Sequence, residues 1–398
     1  MLAGVYIHVP FCQVRCSYCD FNTYAGIGDM IPAYAAAVCR EIELAAQSAS
    51  RAGLGPVQAD SVYFGGGTPS LLPVRQVEAI VETLRRNLLV IPTAEITIEA
   101  NPGTVDIDRL SGLRALGVNR LSFGVQSAQA DDLRLLDRLH SFEQAVQAVA
   151  WARQAGFENI NLDLIYGIMG QSLTSWRDSL RRALELNPEH LSLYALTVES
   201  ETPMDAKVQS GELPMPDADL AADMYEWARD ELQSAGYRHY EISNWARADP
   251  RDEGTTPAFA CRHNLGTWRL QPYLGLGAGA HGFVPGWRYS NVRHPAEYVS
   301  RIHSGDARPF PFSAAVAESR AVDVNIERRE MLLLGLRLVE EGVEASAFTQ
   351  RFGVSLEAVF GEDLAELEGQ GLLERAGESV RLTRKGHLLG NRVFLHFV

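Results

Sequence analysis

The chain has 398 residues, of which 46% are hydrophobic and 22% are charged. This composition is ordinary for a globular protein and excludes a disordered or a collagen-like chain, and the length predicts two to three domains. The 50 acidic residues outnumber the 36 lysines and arginines, and the net charge of −14 argues against a broad nucleic-acid footprint, which would be basic.

Targeting signals are not evident in the sequence. No apolar run approaches the ~18 residues needed to span a bilayer. The first residues lack the basic segment followed by an apolar stretch that is typical of a secretory signal. We therefore expect a cytoplasmic protein, whose five cysteines are metal ligands or free thiols rather than disulfides.

The first half of the chain alternates between short apolar runs rich in β-forming residues and stretches compatible with helices. The apolar runs are Val5–Val9, Ser61–Phe64, Glu95–Glu99, Arg120–Gly124, Asn159–Leu164 and His190–Ala195. Helical stretches include Ala33–Ala46, Val74–Asn87, Ala130–Leu136 and Phe142–Gln154. This alternation predicts βαβ units with a parallel sheet, and six repeats favour an α/β fold with an open, partial (β/α)6 barrel over a closed barrel.

A cluster of cysteines follows the first predicted strand. Cys12, Cys16 and Cys19 have the spacing C-x3-C-x2-C, and the residue two positions further on is Phe21. Three thiolates on one loop suit a [4Fe–4S] cluster with one iron left open to a small chelating ligand. A zinc site is the alternative, with His8 or a distant residue as the fourth ligand that such a site requires.

Polar residues follow five consecutive predicted strands. They are the cysteine loop, the run from Gly65 to Pro69, Glu99, Gln126 and Asp163. Because chemistry in α/β barrels gathers at the carboxyl ends of the strands, we expect these residues to share one mouth.

The cysteine motif, preceded by Tyr6–Phe11 with the sequence Y-I-H-V-P-F, resembles that of the radical S-adenosylmethionine (SAM) superfamily. More narrowly, it is similar to the branch that holds oxygen-independent coproporphyrinogen III dehydrogenase and the haem chaperone HemW. In that superfamily the open iron chelates the amino and carboxylate groups of SAM. The resemblance implies a partial radical-SAM barrel with a [4Fe–4S] cluster held by the three cysteines.

The resemblance also assigns SAM contacts residue by residue. They are Tyr6, Tyr18, Gly66, Gly67, Thr68, Glu99, Gln126, Arg138 and Asp163. The residues alone leave alternatives open: the glycines suit a tight turn, Glu99 suits a strand cap, and Arg138 suits a solvated helix charge. A carboxylate such as Glu99 also suits ribose hydroxyls, because its ionised oxygens accept several hydrogen bonds.

The second half contains a candidate haem site. Imidazole is a common axial ligand of haem iron, so His263 is a candidate, and Trp268 could stack on a flat macrocycle. The alternative is a structural histidine. HemW proteins carry a His-Asn-x-x-Tyr-Trp motif, and here the segment reads His-Asn-Leu-Gly-Thr-Trp with Thr267 at the tyrosine position. The resemblance therefore implies His263, Asn264 and Trp268 as haem-binding residues, with His281 as a lower-ranked ligand.

The C-terminal segment has the pattern of a winged helix. Its predicted helices are Arg328–Glu340, Ala345–Phe352, Leu356–Gln370 and Arg384–Phe394, and its predicted strands are Leu372–Arg375 and Val380–Thr383. Its acidic middle favours a packing or partner domain over DNA binding. We expect a barrel over 1–245, a connecting α/β region over 246–327, and a winged-helix-like unit over 328–398, so that the C-terminal region as a whole is α+β.

Two functions remain in view. The first is a HemW-like chaperone that binds haem as cargo and passes it to acceptor proteins, with membrane-bound respiratory enzymes as candidates by family resemblance. The alternative is coproporphyrinogen III dehydrogenase, which carries a further cysteine where Phe21 stands and a longer segment before the cluster motif, where this chain has eleven residues. Both differences favour the chaperone and leave enzyme activity open. We expect no nucleic-acid partner, and a homodimer is compatible with the sequence; a DNA-binding regulator is disfavoured by the charge.

Overall fold

The computed structural model describes residues 2–305 and 308–398, and these fall into two compact units. Unit 1 comprises Met1–Ala228 and Pro272–Arg320, and unit 2 comprises Arg229–Gln271 and Ala321–Val398. The three-part division by sequence pattern stays a prediction. In the described part of the chain, no helix is both long and apolar enough to cross a bilayer.

Strands and helices alternate through most of the chain. The strands are β1 (Leu2–Val9), β2 (Phe11–Cys12), β3 (Tyr24–Ala25), β4 (Gln58–Gly66), β5 (Leu89–Ala100), β6 (Arg120–Gln126), β7 (Ile160–Tyr166), β8 (His190–Ala195), β9 (Tyr237–Glu241), β10 (Asn244–Arg247), β11 (Tyr273–Leu276), β12 (His281–Val284), β13 (Trp287–Asn291), β14 (Val316–Ala321), β15 (Val343–Glu344), β16 (Leu373–Ala376) and β17 (Ser379–Leu382). The helices are α1 (Ile31–Arg51), α2 (Val74–Asn87), α3 (Ile107–Ala115), α4 (Ala130–Leu135), α5 (Phe142–Gln154), α6 (Leu173–Leu184), α7 (Pro203–Gln209), α8 (Ala218–Ser234), α9 (Arg262–Trp268), α10 (Pro295–Ser304), α11 (Val324–Gly335), α12 (Ala345–Phe352), α13 (Leu356–Gly369), α14 (Arg384–Leu388) and α15 (Gly390–Phe394).

The sheet of unit 1 has the strand order β14-β13-β12-β11-β1-β4-β5-β6-β7-β8. The segment from β1 to β8 is parallel throughout and contains the six predicted strands as direct neighbours. The described strands do not close into a ring, so the predicted open, partial barrel is confirmed. Parallel neighbours require crossover connections, and the helices between the strands provide them.

Local signals explain where the helices of this barrel begin. Ser141 and Gln144 form a capping box at the start of α5, which begins and ends as the sequence predicts. The equivalent signal at Ser172 and Ser175 precedes α6, a helix that the sequence analysis did not identify. Along β1, Val5 and Ile7 point to the same face and are both fully buried, so this face packs into the core.

The outer strands β11 to β14 extend the sheet beyond β1 and were not expected. Strand β11 pairs in parallel with β1, and β12 and β13 follow in antiparallel order. These strands are only four to six residues long, and Gly275 interrupts the apolar pattern of β11. Strands this short have too few alternating residues to be recognised from the sequence.

A buried carboxylate fastens this extension to α1. Glu41 is only 1% exposed. Its Oε2 accepts hydrogen bonds from the Gly277 amide at 2.9 Å and the Tyr298 hydroxyl at 2.7 Å. Its Oε1 accepts from the Asn291 amide at 3.0 Å and the Ser313 hydroxyl at 2.6 Å. Four donors thus compensate the desolvation of one charge, although burial still raises its pKa.

Unit 2 contains the β9–β10 hairpin, helix α9 and a winged-helix-like C-terminal part. There, a three-stranded sheet of order β15-β17-β16 stands in place of the predicted two-stranded hairpin. The two short strands that flank the wing were predicted within one residue of their ends, and β15 has only two residues. The core of this part is made of aliphatic and phenylalanine side chains from all its elements.

Two helix boundaries in unit 2 differ from the predictions. The predicted helix Arg328–Glu340 begins earlier, because Asp323 caps α11, and it ends at Gly335. Beyond that point the backbone leaves the helix, and the Arg337 carbonyl accepts a hydrogen bond from the Ile242 amide at 3.0 Å. The predicted helix Arg384–Phe394 is broken at Leu389 into α14 and α15, next to Gly390, a poor helix former.

We expect Glu41→Gln to lower the free energy of unfolding by about 2 kcal/mol or more. The new side-chain NH2 group would face two protein donors that now bond to a carboxylate oxygen, and these buried donors would lose their acceptor. Urea unfolding followed by circular dichroism measures the change. Glu43→Gln is the matched control on the same helix, since Glu43 is exposed and pairs with Arg40 at 3.0 Å. Equal effects of the two substitutions would contradict the role of the Glu41 network.

Candidate functional site

The loops that follow β1, β4, β5 and β6 meet at one end of the sheet in unit 1. The Thr68 hydroxyl lies 3.6 Å from the Cys12 sulfur, and the Arg138 guanidinium lies 3.7 Å from the Cys16 sulfur. The Asn101 side chain donates to the Thr68 hydroxyl at 3.2 Å. The structure therefore brings the cysteine loop, the glycine turn and the residues after β5 and β6 together, as the strand-end rule predicts.

The glycine turn lies directly against the cysteine loop. The Gly67 amide donates to the Val9 carbonyl at 2.9 Å, and the Thr68 amide donates to the Phe11 carbonyl at 2.8 Å. A Cβ on Gly67 would lie 2.7 Å from the Phe11 carbonyl oxygen, so only glycine fits. Gly66 has a φ of 113°, and a Cβ there would meet the His8 ring at 2.5 Å.

Three amides of this turn, those of Gly66, Gly67 and Thr68, donate to partners inside the protein. The Gly66 amide donates to the Glu99 carboxylate at 3.1 Å, in addition to the two bonds made by Gly67 and Thr68. An ammonium group can only donate, so its hydrogen bonds with the turn would be accepted by the turn's carbonyl oxygens. This is the form of backbone contact that a positively charged ligand group would receive.

Glu99 lies at the end of β5 with two donors already bound to it. Besides Gly66, the Tyr63 hydroxyl donates to its other oxygen at 2.8 Å. Burial, with a further contribution from the negative charge of Asp163, raises the pKa of Glu99 to about 7. The two carboxylates are thus near enough to influence each other, although they come from β5 and β7.

Gln126 carries two features of a binding residue. It ends β6 with a φ of 68°, in the left-handed region that residues other than glycine rarely adopt. Its side chain is 9% exposed, and its Oε1 has no hydrogen-bond partner in the described part of the chain. Buried polar atoms are nearly always paired, so an unpaired oxygen here fits a ligand that donates a hydrogen bond.

Arg138 spans the gap between the cysteine loop and the neighbouring strands. Its guanidinium donates to the Gly124 carbonyl at 2.8 Å and to the Asn101 side chain, and it contacts the Cys16 sulfur. It is therefore not the solvated helix charge of the alternative interpretation. Asn101 was missed in the sequence, although its position two residues after Glu99, at the end of a predicted strand, was a usable signal.

Asp163 is held by a polar network inside the barrel. The Asn161 side chain donates to it at 2.8 Å and the Ser122 hydroxyl at 3.2 Å. Asn161 is itself bonded to the buried His190 ring at 2.6 Å. Burial raises the pKa of Asp163 despite these donors. These hydrogen bonds fix the orientation of the Asp163 carboxylate.

The two tyrosines differ in their surroundings. Tyr6 stacks on Tyr63 with a centroid distance of 6.2 Å, and burial near Glu99 raises its pKa, so the phenol stays protonated. Tyr18 packs against the apolar cluster that contains Leu136 and Ile165. Burial also raises the pKa of Tyr18, while the nearby positive charge of Arg138 acts in the opposite direction.

The hydrogen bonds of His8 disfavour it as the fourth ligand of a zinc site. Its Nε2 lies 2.9 Å from the Asn22 carbonyl oxygen, which can only accept, so Nε2 carries the proton. Its Nδ1 then accepts from the Tyr6 hydroxyl at 3.1 Å. Both ring nitrogens are occupied, so the zinc alternative would need another residue as its fourth ligand.

The candidate haem residues lie together on helix α9, in unit 2. His263 is 9% exposed, and burial lowers its pKa to about 4, so its ring is neutral. Asn264 is half-buried beside it, and Trp268 ends the helix. The guanidinium of Arg337 lies 5.0 Å from the centre of the Trp268 ring, so one face of the indole is already covered. His281, the lower-ranked candidate, is exposed in unit 1 at the start of β12.

Comparison with known proteins adds family relationships to this geometry. The family model of the radical SAM superfamily matches residues 6–183, which include every strand-end residue described above, and the model of the HemN C-terminal domain matches residues 327–389. Among solved structures, coproporphyrinogen III oxidase (HemN) from Escherichia coli, described as a radical SAM enzyme, is similar with a TM-score of 0.81. It is 26% identical, over 100% of this chain and 89% of that one.

Curated relatives match along nearly their whole length. The protein named heme chaperone HemW from Bacillus subtilis (strain 168) is 35% identical, over 100% of this chain and 99% of its own. Its namesake from Mycobacterium tuberculosis (strain ATCC 25618 / H37Rv) is 37% identical, over 98% and 93%. The namesake from Escherichia coli (strain K12) is 34% identical, over 99% and 98%.

We expect Gly67→Ala to reduce the iron retained after anaerobic reconstitution at least severalfold, because the new methyl group would push the backbone of the cysteine loop away. Iron content per chain and the visible absorbance measure the effect. Gly28→Ala is the control, since a Cβ there meets nothing within 4 Å. Full iron retention by Gly67→Ala would show that the close approach of the two loops does not matter for the cysteines.

Proposed function

The chain belongs to the family of proteins named heme chaperone HemW, within the radical SAM superfamily, and we propose that it binds haem and transfers it to acceptor proteins. The observation that carries this proposal is the match to relatives of that name at 34–37% identity along nearly the full length of both proteins. A relationship of this extent includes the barrel, the region of His263 and the C-terminal part alike. Membrane-bound respiratory enzymes are the acceptors that we would test first.

The cysteine loop is the proposed site of a [4Fe–4S] cluster, which the family implies. Cys12, Cys16 and Cys19 would supply one thiolate each, and the cluster would supply one-electron reduction of a molecule bound at the remaining iron. Burial raises the pKa of Cys12 and Cys19, so these thiols need a positive centre to ionise. The neighbouring hydroxyl of Thr68 and guanidinium of Arg138 provide hydrogen bonds to sulfur that suit a thiolate.

SAM is the proposed occupant of the mouth above the glycine turn. The carbonyl oxygens of the turn suit its ammonium group, and the unpaired Oε1 of Gln126 suits a hydroxyl or amino donor. Glu99 would accept hydrogen bonds from the ribose, and Arg138 would balance the charge of the methionine carboxylate. Tyr6, Tyr18 and Asp163 would complete the walls of this site.

His263 is the proposed axial ligand of the haem iron, with Asn264 and Trp268 beside it. Since the ring of His263 is largely covered by its surroundings, haem binding requires local opening around α9. The observation in support of the alternative function, coproporphyrinogen III dehydrogenase, is the structural similarity to HemN. Phe21 argues against it, because it stands where that enzyme carries a cysteine, and its ring is 63% exposed.

The cluster assignment predicts that Cys16→Ser removes the iron and the absorbance of the cluster after anaerobic reconstitution, because an alcohol does not replace a thiolate ligand. Cys39→Ser is the control, since Cys39 lies on helix α1 away from the loop. Four irons per chain in Cys16→Ser would refute the assignment.

Haem binding tests the proposed function directly. We expect the reconstituted chain to bind haem saturably at one equivalent, seen as a shift of the Soret band. The affinity should fall at least about tenfold in His263→Ala, a loss of ~1.4 kcal/mol. His303→Ala, at an exposed position of α10, should bind as the parent does. Without saturable binding the chaperone proposal fails, and turnover of coproporphyrinogen III becomes the test of the alternative.

A further inference from the structure

Arg337 occupies an unusual place in unit 2. It follows the end of α11, and its guanidinium lies between two aromatic rings, 5.0 Å from the centre of Trp268 and 4.7 Å from the centre of Phe394. Burial lowers the pKa of Arg337, because removal from water disfavours the charged form. The neighbouring carboxylate of Glu241 acts on it electrostatically, but the two side chains do not form an ion pair within the described residues.

Two hydrogen-bond donors at this stack lack acceptors. The Nε of Arg337 and the Nε1 of Trp268 are both buried without a hydrogen-bond partner in the described part of unit 2. Both atoms can only donate, so only an acceptor from outside can satisfy them. A buried donor without an acceptor is destabilising, and more so when the group is charged.

Two other stacked arginines of the same unit, Arg251 and Arg351, are neutralised by carboxylates, whereas Arg328 lies over Phe352 with a buried Nε that has no hydrogen-bond partner in the described chain. Arg251 lies 5.0 Å from the centre of the Phe259 ring and forms two hydrogen bonds with the Asp249 carboxylate, at 2.6 and 3.0 Å. Arg351 lies over Phe352 and pairs with Glu327. Arg337 therefore differs from Arg251 and Arg351 in lacking a paired carboxylate, and from Arg328 in having a second unpaired donor, the Trp268 Nε1, in the ring beneath it.

We propose that Arg337 and Trp268 form a binding site for a carboxylate group of a ligand. A guanidinium recognises a carboxylate in its plane with two parallel hydrogen bonds, and an indole N–H adds a neutral donor. Resting on the proposed function, we infer that the carboxylate is a propionate of haem. Trp268 belongs to the same short helix as His263, so the contacts to the iron and to the propionate would both involve α9.

Glu241, near Arg337, carries a charge of the same sign as the carboxylate of the proposed ligand. It is 2% exposed, one of its oxygens lacks a hydrogen-bond partner in the described chain, and burial raises its pKa to about 7. Its negative charge is therefore weakened at neutral pH. This reduces the repulsion that a second carboxylate would meet beside Arg337.

The test compares haem with its dimethyl ester, which keeps the iron and the ring but has no free carboxylate. Both are titrated, in the same mild detergent, into the full chain, Arg337→Gln and the control Arg251→Gln. We expect the parent to bind the ester about tenfold more weakly than haem. Arg337→Gln should bind haem about tenfold more weakly than the parent and should bind the ester unchanged, while Arg251→Gln should behave as the parent.

The pattern of losses separates this inference from the proposed function. If Arg337→Gln weakens the binding of haem and of the ester equally, Arg337 only supports the fold. This result overturns the inference and leaves the proposed haem binding unaffected. If the parent binds neither compound saturably, the proposed function fails and the inferred ligand with it. Trp268→Phe keeps the aromatic stack and removes the N–H, so a selective loss for haem in this variant supports the site independently, and an unchanged haem affinity contradicts it.

Discussion

The site in unit 1 depends on how closely two pieces of backbone approach each other. The Gly67 and Thr68 amides are bonded to the Val9 and Phe11 carbonyls, which flank the start of the cysteine loop. No side chain can stand between these segments, since a Cβ on Gly67 would overlap the Phe11 carbonyl oxygen. Because β1 and β4 are also neighbours in the sheet, the pairing of these two strands holds the loop in position.

The strand-end residues could be predicted because the periodic part of the sequence is long and regular. Once six strands alternate with helices, the rule that parallel strands direct their carboxyl ends to one edge places Glu99, Gln126 and Asp163 together without knowledge of their contacts. The contacts themselves could not be predicted. Three amides of the glycine turn are used internally, and Asn101 joins Thr68 and Arg138, because side-chain partners depend on distances that no sequence pattern encodes.

The second half was harder to predict for a different reason. Strands β11 to β13 gain their stability from pairing with β1 and with each other, so their local sequence carries little signal. Helix α11 ends at Gly335 because the following backbone pairs with the hairpin segment at Ile242, a tertiary contact that overrides an apolar pattern continuing to Glu340. The burial of His263 likewise follows from packing and not from its motif.

The position of β1 also has a consequence for shortened chains. Strand β1 lies between β4 and β11, and the chain reaches β11 only at Tyr273. A fragment that stops at residue 245 would contain all six parallel strands, yet one side of β1 would be left with bare amide and carbonyl groups. Such an edge recruits strands from other molecules, so the barrel cut at its apparent sequence boundary would be prone to aggregation. The outer strands therefore act as a protective cover for the first strand of the molecule.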